Sequence, residues 1–194
     1  MGVTQSEVKT AVEKLCKNLP PKGQKMVEEA VLKNINEKVS TKETLGFTPS
    51  MLEELYKLAH TQFRAGRYQD ALKLFDFLYR LDPLDYRFVF GIAACHQYLK
   101  QYQEAAGYYI ICQHIDPLNP IPRFHLYDCF MKLDMLVPAL RAVEETIAFA
   151  KLNVRYKELE ERASLESQHL QRILPAYLKE HFEPKKAPLV KSTG

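Results

Sequence analysis

Cysteine and histidine are the side chains of this sequence that could bind a metal ion or act as nucleophiles. Among 194 residues there are four cysteines and six histidines. His96 follows Cys95 directly and His114 lies two residues after Cys112, so a metal site is conceivable there. However, no CxxC pair and no zinc-finger spacing is present, and small buried thiols are a common use of cysteine in reduced proteins. The spacing favours packing, and we expect no bound metal.

Catalytic motifs are absent from the sequence as well. There is no glycine-rich phosphate loop, no HExxH and no GxSxG. The net charge is +3 with both signs interspersed, which predicts no nucleic-acid surface. The longest uncharged stretches, 88–99 and 105–115, are too short to span a bilayer, and the N-terminus has no apolar secretory core. We therefore expect a cytoplasmic protein that is not an enzyme, needs no cofactor and does not insert stably into a membrane.

A repeated stretch indicates the elements that position the remaining side chains. Residues 65–85, AGRYQDALKLFDFLYRLDPLD, align at an offset of 34 with residues 99–119, LKQYQEAAGYYIICQHIDPLN. A period of 34 is the length of a tetratricopeptide unit, in which a tight turn joins two antiparallel helices. A fainter third copy follows. The prediction is an all-α fold, a tetratricopeptide-repeat α-solenoid of three helical hairpins over 50–153. The predicted repeats span 52–85, 86–119 and 120–153.

Small residues and helix breakers recur where this architecture needs them. Alanines at 71, 105 and 139 mark close helix crossings. Gly66 permits the turn inside the first hairpin, and Asp82-Pro83 is predicted to end one helix and open the next. Ser50 is predicted to cap the first repeat helix. Because one hairpin cannot bury its own apolar face, about three must stack.

Three further segments flank the predicted repeats. Residues 1–49 predict an N-terminal helical extension and linker, with amphipathic stripes that pack either on the solenoid or on another copy of the chain. Residues 154–182 predict a C-terminal capping helix, which Pro175 kinks or ends. Residues 183–194 have no periodicity, and their composition predicts a disordered tail.

The first helix of each hairpin is predicted to line the inner, concave surface of the solenoid. Other residues already fill the contacts between helices, so these side chains form either a binding groove for an apolar peptide or additional core. Tyr56 and His60, with Ile121 and His125, stand where a carboxylate-binding module would have basic residues, so the groove favours apolar side chains over a terminal carboxylate. The predicted inner residues are Tyr56, His60, Phe63, Phe90, Ala94, Gln97, Tyr98, Phe124, Asp128 and Met131.

The run from Leu52 to Tyr109 closely resembles one particular family. The LEELY segment, the GRYQDA turn, the DPLDYRF junction and the G-x-x-A-C segment are more specific than a generic repeat. They are similar to the class II chaperones of bacterial type III secretion, the SycD/LcrH/IpgC type. The similarity covers roughly residues 50–165, and the segment before it is longer than is usual in that family.

The resemblance implies a cytoplasmic bacterial chaperone, commonly a homodimer through its N-terminal region. Such chaperones hold hydrophobic translocator proteins soluble and apart before secretion, by taking an extended Pro-x-Leu-x-x-Pro-like segment into the concave groove. Carried over by position, the implied cargo pockets are formed by Tyr56, Phe63, Tyr68, Leu81, Phe90, Tyr98 and Tyr109. The alternative is a scaffold or assembly factor of the same fold that joins folded partner proteins and carries no secretion cargo.

Overall fold

The computed structural model describes residues 45–182 and five isolated positions before them, at 9, 10, 21, 25 and 29. The predicted tail at 183–194 and nearly all of the predicted N-terminal extension lie outside the described residues. Within 45–182 every regular element is helical, which confirms the predicted all-α fold. The helices are α1 (Pro49–Arg64), α2 (Tyr68–Leu81), α3 (Tyr86–Tyr98), α4 (Tyr102–Ile115), α5 (Ile121–Lys132), α6 (Leu136–Ala150), a 3-10 turn (Val154–Tyr156) and α7 (Lys157–Phe182).

The chain divides into two compact units, residues 1–100 and 101–194. In the first unit α1 packs on α2 and α2 packs on α3. Alanines enable these close approaches, since Ala59, Ala71 and Ala93 are fully buried. In the second unit α4 packs on α5, α5 on α6 and α6 on α7, with Ala105 and Ala139 fully buried. Alanine at the predicted crossing positions is therefore buried throughout.

The helix starts differ in detail from the sequence predictions. Thr48, not Ser50, caps α1: its Oγ1 accepts a hydrogen bond from the Met51 amide at 3.2 Å, and Pro49 is the first helical residue. Pro83 does not open α3. That helix begins three residues later, and the Asp85 carboxylate caps it by accepting from the Arg87 amide at 2.9 Å. The first backbone amides of a helix have no acceptor within the helix, and a side-chain oxygen supplies one, whereas proline does not.

A left-handed backbone residue follows α1, α3 and α5 at the same repeat position. The φ angles are +76° at Gly66, +61° at Lys100 and +56° at Asp134, so the offset of 34 extends to the turn geometry of all three hairpins. Only glycine adopts this conformation without steric cost. Lys100 and Asp134 are therefore strained, whereas Gly66 is not.

Lys100→Gly is expected to raise the free energy of unfolding by about 0.5–1 kcal/mol, because it removes the Cβ clash of a left-handed residue. Urea unfolding of the two chains measures the difference. The matched control is Gly66→Ala, which meets no atom within 4 Å but has φ +76°, so backbone strain alone should lower its stability by a similar amount. A Lys100→Gly chain that is no more stable than the parent would contradict this account.

Helix α7 is the longest described helix and continues through Pro175 to Phe182 without ending there. Its last turns are attached to the turn after α5, because the Tyr177 hydroxyl donates to the Asp134 carbonyl at 2.8 Å. Near its middle, Ala163 and Leu170 are fully buried. This helix covers the outer face of the last hairpin, as the end of a stack of hairpins requires.

Candidate functional site

Three rings gather at one end of the first unit, and we call them the aromatic cluster: Phe63 at the end of α1, Tyr68 at the start of α2 and Tyr98 at the end of α3. Phe63 meets Tyr68 at 5.3 Å and Tyr98 at 5.2 Å, both edge-on, and the two tyrosine rings stack at 4.8 Å between centroids. Tyr98 is 59% exposed. The cluster therefore presents preformed aromatic surface to a ligand instead of closing a core.

Tyr56 contributes both to the core and to the surface of the first unit. Its ring contacts the buried rings of Phe75 at 6.1 Å and Phe88 at 6.0 Å. The guanidinium of Arg87 lies 4.8 Å from the Tyr56 centroid, and it is held there by Glu53 at 2.9 Å. The hydrogen-bonded carboxylates of Asp85 and Glu53 raise the pKa of Arg87 and hold its guanidinium over the ring.

The other predicted inner residues of the first unit differ in their exposure. His60 is exposed and lies 6.2 Å from the Tyr56 ring. Phe90 is half-buried and stacks on Tyr86 at 5.6 Å, and Ala94 is half-buried. Leu81, at the end of α2, is only 4% exposed. A ligand at this unit would meet the aromatic cluster and Phe90, whereas the buried Leu81 lies at the other end of α2 from Tyr68.

In the second unit the predicted residues Tyr109 and Phe124 are buried. The Tyr109 ring stacks on His125 at 5.1 Å with only 11° between the planes. Phe124 lies 5.5 Å from the ring of Tyr127. Asp128 and Met131 are half-buried on the same helix, α5. This half of the predicted set is more enclosed than the first, because helix α7 adds side chains over it.

Two side chains of α7 were not anticipated from the sequence. The guanidinium of Arg162 lies 4.8 Å from the centroid of Phe124. The carboxylate of Glu166 accepts a hydrogen bond at 2.7 Å from the buried hydroxyl of Tyr127. Burial, and then this bond, raises the pKa of Tyr127, so the phenol stays a donor. Helix α7 lies outside the three repeats, so an alignment at an offset of 34 does not predict that either residue contacts the site.

The titratable groups near Phe124 are shifted toward their neutral forms. Burial, and then the charge of Arg162, lowers the pKa of His125 to about 4. Burial raises the pKa of Asp128, although Arg162 partly offsets the effect. A neutral imidazole and a carboxyl that resists ionisation make this surface more apolar than its residue types suggest.

A pH dependence of stability follows from His125. The unfolded chain binds a proton at this residue near its ordinary pKa of 6.5, whereas the folded chain does so only near 4. The contribution of neutral His125 to the free energy of unfolding is therefore complete above pH 6.5. It is lost as the pH falls to 4, and the loss is roughly 3 kcal/mol at most. His125→Phe keeps a ring against Tyr109. In this variant the midpoint of urea unfolding should change less between pH 7 and pH 4.5 than it does in the parent chain.

The control for that measurement is His114→Phe, at an exposed histidine of α4. This variant should keep the slope of the parent chain. Asp128 acts in the opposite sense but is present in all three chains, so it cancels in the comparison. An unchanged slope in His125→Phe would contradict this account, because it would mean that folding does not lower the pKa of His125.

The cysteines of the described region are packing residues. Cys95, Cys112 and Cys129 are fully buried and free, and burial raises the pKa of each thiol to about 12. Over residues 45–182 no group of three His, Cys, Asp or Glu side chains is arranged to hold a metal ion. In the same residues no helix is both long enough and apolar enough to cross a membrane.

Known proteins share this arrangement. A family model described as tetratricopeptide repeat matches residues 52–85. The low calcium response locus protein H of Yersinia pestis is 37% identical over 116 residues, which cover 58% of this chain and 67% of that protein. The chain belongs to the low calcium response locus protein H family. The resemblance noted in the sequence is thereby confirmed.

Solved structures of similar proteins have the same fold. PcrH of Pseudomonas aeruginosa, solved in complex with the chaperone binding region of PopD, is 31% identical with a TM-score of 0.64 and matches 66% of this chain and 96% of that one. A second solved structure is the type III secretion translocator chaperone SycD of Yersinia enterocolitica, in an alternative dimer. It is 31% identical with a TM-score of 0.61, and the match covers 64% of this chain and 95% of SycD.

Proposed function

We propose that this chain is a cytoplasmic chaperone that binds an extended apolar segment of type III secretion translocator proteins and keeps them soluble and separate before secretion. The observation that carries the proposal is the aromatic cluster, with Tyr98 59% exposed on a preformed surface, in a chain whose relative PcrH was solved with a translocator segment. Large aromatic rings held in place before binding lose little entropy when a ligand covers them.

The predicted groove residues form the proposed binding surfaces, which are considered for each unit by itself. In the first unit the aromatic cluster and Phe90 receive apolar cargo side chains. In the second unit the half-buried Asp128 and Met131 do so, and the buried Phe124 on the same helix supports them from within. Each apolar side chain that is fully buried contributes roughly 1.5–3 kcal/mol. Two or three such anchors exceed the cost of ordering a short extended segment, which suits a Pro-x-Leu-x-x-Pro-like motif already restricted by proline.

Binding alone accounts for this activity, so we propose that the chain is not an enzyme and needs no nucleotide or cofactor. A segment held in the groove cannot join the association of apolar translocator surfaces that leads to aggregation. The relative SycD was solved as a dimer, and we assign the amphipathic pattern of residues 1–49 to a homodimer of this chain.

Titration calorimetry of the purified chain with N-terminal segments of candidate translocators tests the proposal. One-to-one binding with micromolar or tighter affinity is expected for a segment that contains the Pro-x-Leu-x-x-Pro-like pattern. The control is the same segment with its leucine and both prolines replaced by serine, which should not bind. Binding to folded partners but to no segment would contradict the chaperone proposal and support the scaffold alternative.

A further inference from the structure

A recess opens on the surface of the second unit where α4, α5 and α6 meet. It has a volume of about 450 Å³, which lies within the range of natural ligand sites. Val137 and Ile110 on its wall are 50% and 41% exposed, so the recess is open and presents apolar surface to solvent. The apolar wall consists of Ile110, Leu126, Phe130, Val137, Pro138 and Ala142.

The recess is separate from the predicted groove residues of the second unit. Phe124, Asp128 and Met131 occupy one face of α5, because they are spaced by four and three residues along the helix. Leu126 and Phe130, which line the recess, lie on the opposite face of the same helix. A ligand in the recess therefore contacts a different surface of this unit from a segment bound at the groove residues.

Two charged side chains, Arg141 and Glu145, complete the lining of the recess. The Arg141 Nε donates a hydrogen bond to the Glu145 Oε1 at 3.0 Å. The Glu145 Oε2 lies 3.7 Å from the Nε of Arg123, a buried side chain whose Nε–H has no hydrogen-bond partner among the described residues. Two guanidinium groups thus compensate the single carboxylate, so the recess has no site for a further cation.

The guanidinium of Arg141 retains donors that the protein does not use. The Arg141 side chain is 83% exposed, whereas that of Glu145 is 37% exposed. The bond to Glu145 uses Nε alone, and Nη1 and Nη2 donate to no other described residue. A guanidinium binds a carboxylate best through two parallel hydrogen bonds, which these two nitrogens can provide. The polar group that fits beside the apolar wall is therefore a carboxylate.

We propose that this recess binds a short acidic segment of a partner protein, with an apolar side chain against Val137 and Ile110 and a carboxylate on Arg141. Val137 and Arg141 are one turn apart on α6, about 6 Å along its axis. Two residues of an extended segment cover about 7 Å, so the partner carries Asp or Glu two positions after its apolar anchor. This proposal goes beyond the proposed function and does not depend on it.

The unsatisfied donor of Arg123 favours the exchange of partners that such binding requires. An exposed ion pair such as that between Arg141 and Glu145 contributes little to stability, so a ligand carboxylate replaces it at low cost. The Glu145 carboxylate then moves from 3.7 Å into hydrogen-bond distance of the Arg123 Nε–H. A buried donor thereby gains the acceptor that it lacks in the free protein.

Methyl spectra of the full chain, recorded during titration with the capped tripeptide acetyl-Leu-Leu-Glu-amide, test the proposal. The Ile110 and Val137 methyl signals are expected to shift with saturation at millimolar peptide. The Arg123 Nε–H signal should shift with them, because this proton gains an acceptor. The same peptide with glutamine or lysine in place of glutamate should bind about tenfold more weakly.

Two variants separate recognition of the carboxylate from a general effect of charge. Arg141→Gln should weaken binding of the glutamate peptide to the level of the glutamine peptide. The matched control, Arg155→Gln, replaces an exposed arginine beyond the end of α6 and should leave the affinity unchanged. Circular dichroism should show the same helix content in both variants and in the parent chain.

Three results would overturn the proposal. Ile110 and Val137 methyl signals that do not shift would show that no such segment binds the recess. Equal affinity for the glutamate, glutamine and lysine peptides would show that Arg141 recognises no carboxylate. Shifts of the same methyl signals with protein concentration, in the absence of peptide, would show that a second copy of the chain occupies the recess.

Discussion

Replacing Tyr68 and Tyr98 together by alanine is expected to weaken binding of a translocator segment about 100-fold, whereas the chain stays folded. The two rings stack at 4.8 Å and Tyr98 is 59% exposed, so they contribute more surface to a ligand than to the core. Loss of two aromatic anchors from a peptide site typically costs a few kcal/mol, and each 1.4 kcal/mol is tenfold in affinity. Titration calorimetry measures the affinity, and circular dichroism measures the helix content.

Leu84→Ala is the matched control for this variant. Leu84 belongs to the same unit and is 76% exposed, but it lies in the loop before α3, away from the aromatic cluster. Its removal should leave the affinity unchanged. If the double variant binds as tightly as the parent chain, the aromatic cluster is not the cargo site. If it unfolds, these rings are core residues.

Tyr56 is a less informative position for the same test, although it is among the predicted groove residues. Its ring packs on the buried Phe75 and Phe88, so Tyr56→Ala would disturb the core as well as the surface. A loss of binding in that variant would not separate a missing contact from a displaced helix. Tyr98 avoids this ambiguity because most of its ring faces solvent.

Gly91→Ala is expected to destabilise the chain by about 1–3 kcal/mol, a large effect for one methyl group. A Cβ at this position would lie 2.6 Å from two ring atoms of Phe75, well inside van der Waals contact. The Phe75 ring is 2% exposed and also contacts Tyr56, so it cannot move aside without disturbing α1. We expect a lower urea midpoint and, because Tyr56 shifts, weaker binding of a translocator segment.

Gly107→Ala separates this clash from the general effect of a helical glycine. Gly107 lies within α4 and is exposed, and a methyl group added to its Cα would have no atom within 4 Å. Alanine there should stabilise the chain by up to about 1 kcal/mol, because it restricts the unfolded state and favours the helix. Equal effects of the two substitutions would show that the contact with Phe75 relaxes at little cost.

The helical repeat could be predicted from the sequence because its physical causes are local or lie between neighbouring hairpins. An offset of 34 placed the buried alanines Ala71, Ala105 and Ala139 correctly, and it extends to the left-handed residues at 66, 100 and 134. Helix caps were harder to place, since Thr48 and Ser50 can both accept the same kind of hydrogen bond. The neighbouring Pro49 favours Thr48, because proline is suited to the first helical position.

Only the tertiary structure determined which predicted groove residues are exposed. Tyr98 and Tyr109 are both tyrosines on predicted helices, yet one is 59% exposed and the other fully buried. Burial depends on all the neighbours of a side chain, including those from α7, which no repeat offset relates to the hairpins. Arg162 over Phe124 and the neutral His125 against Tyr109 arise in the same way. The sequence determined the repeat and its family, and packing between distant segments determined the surface that a ligand meets.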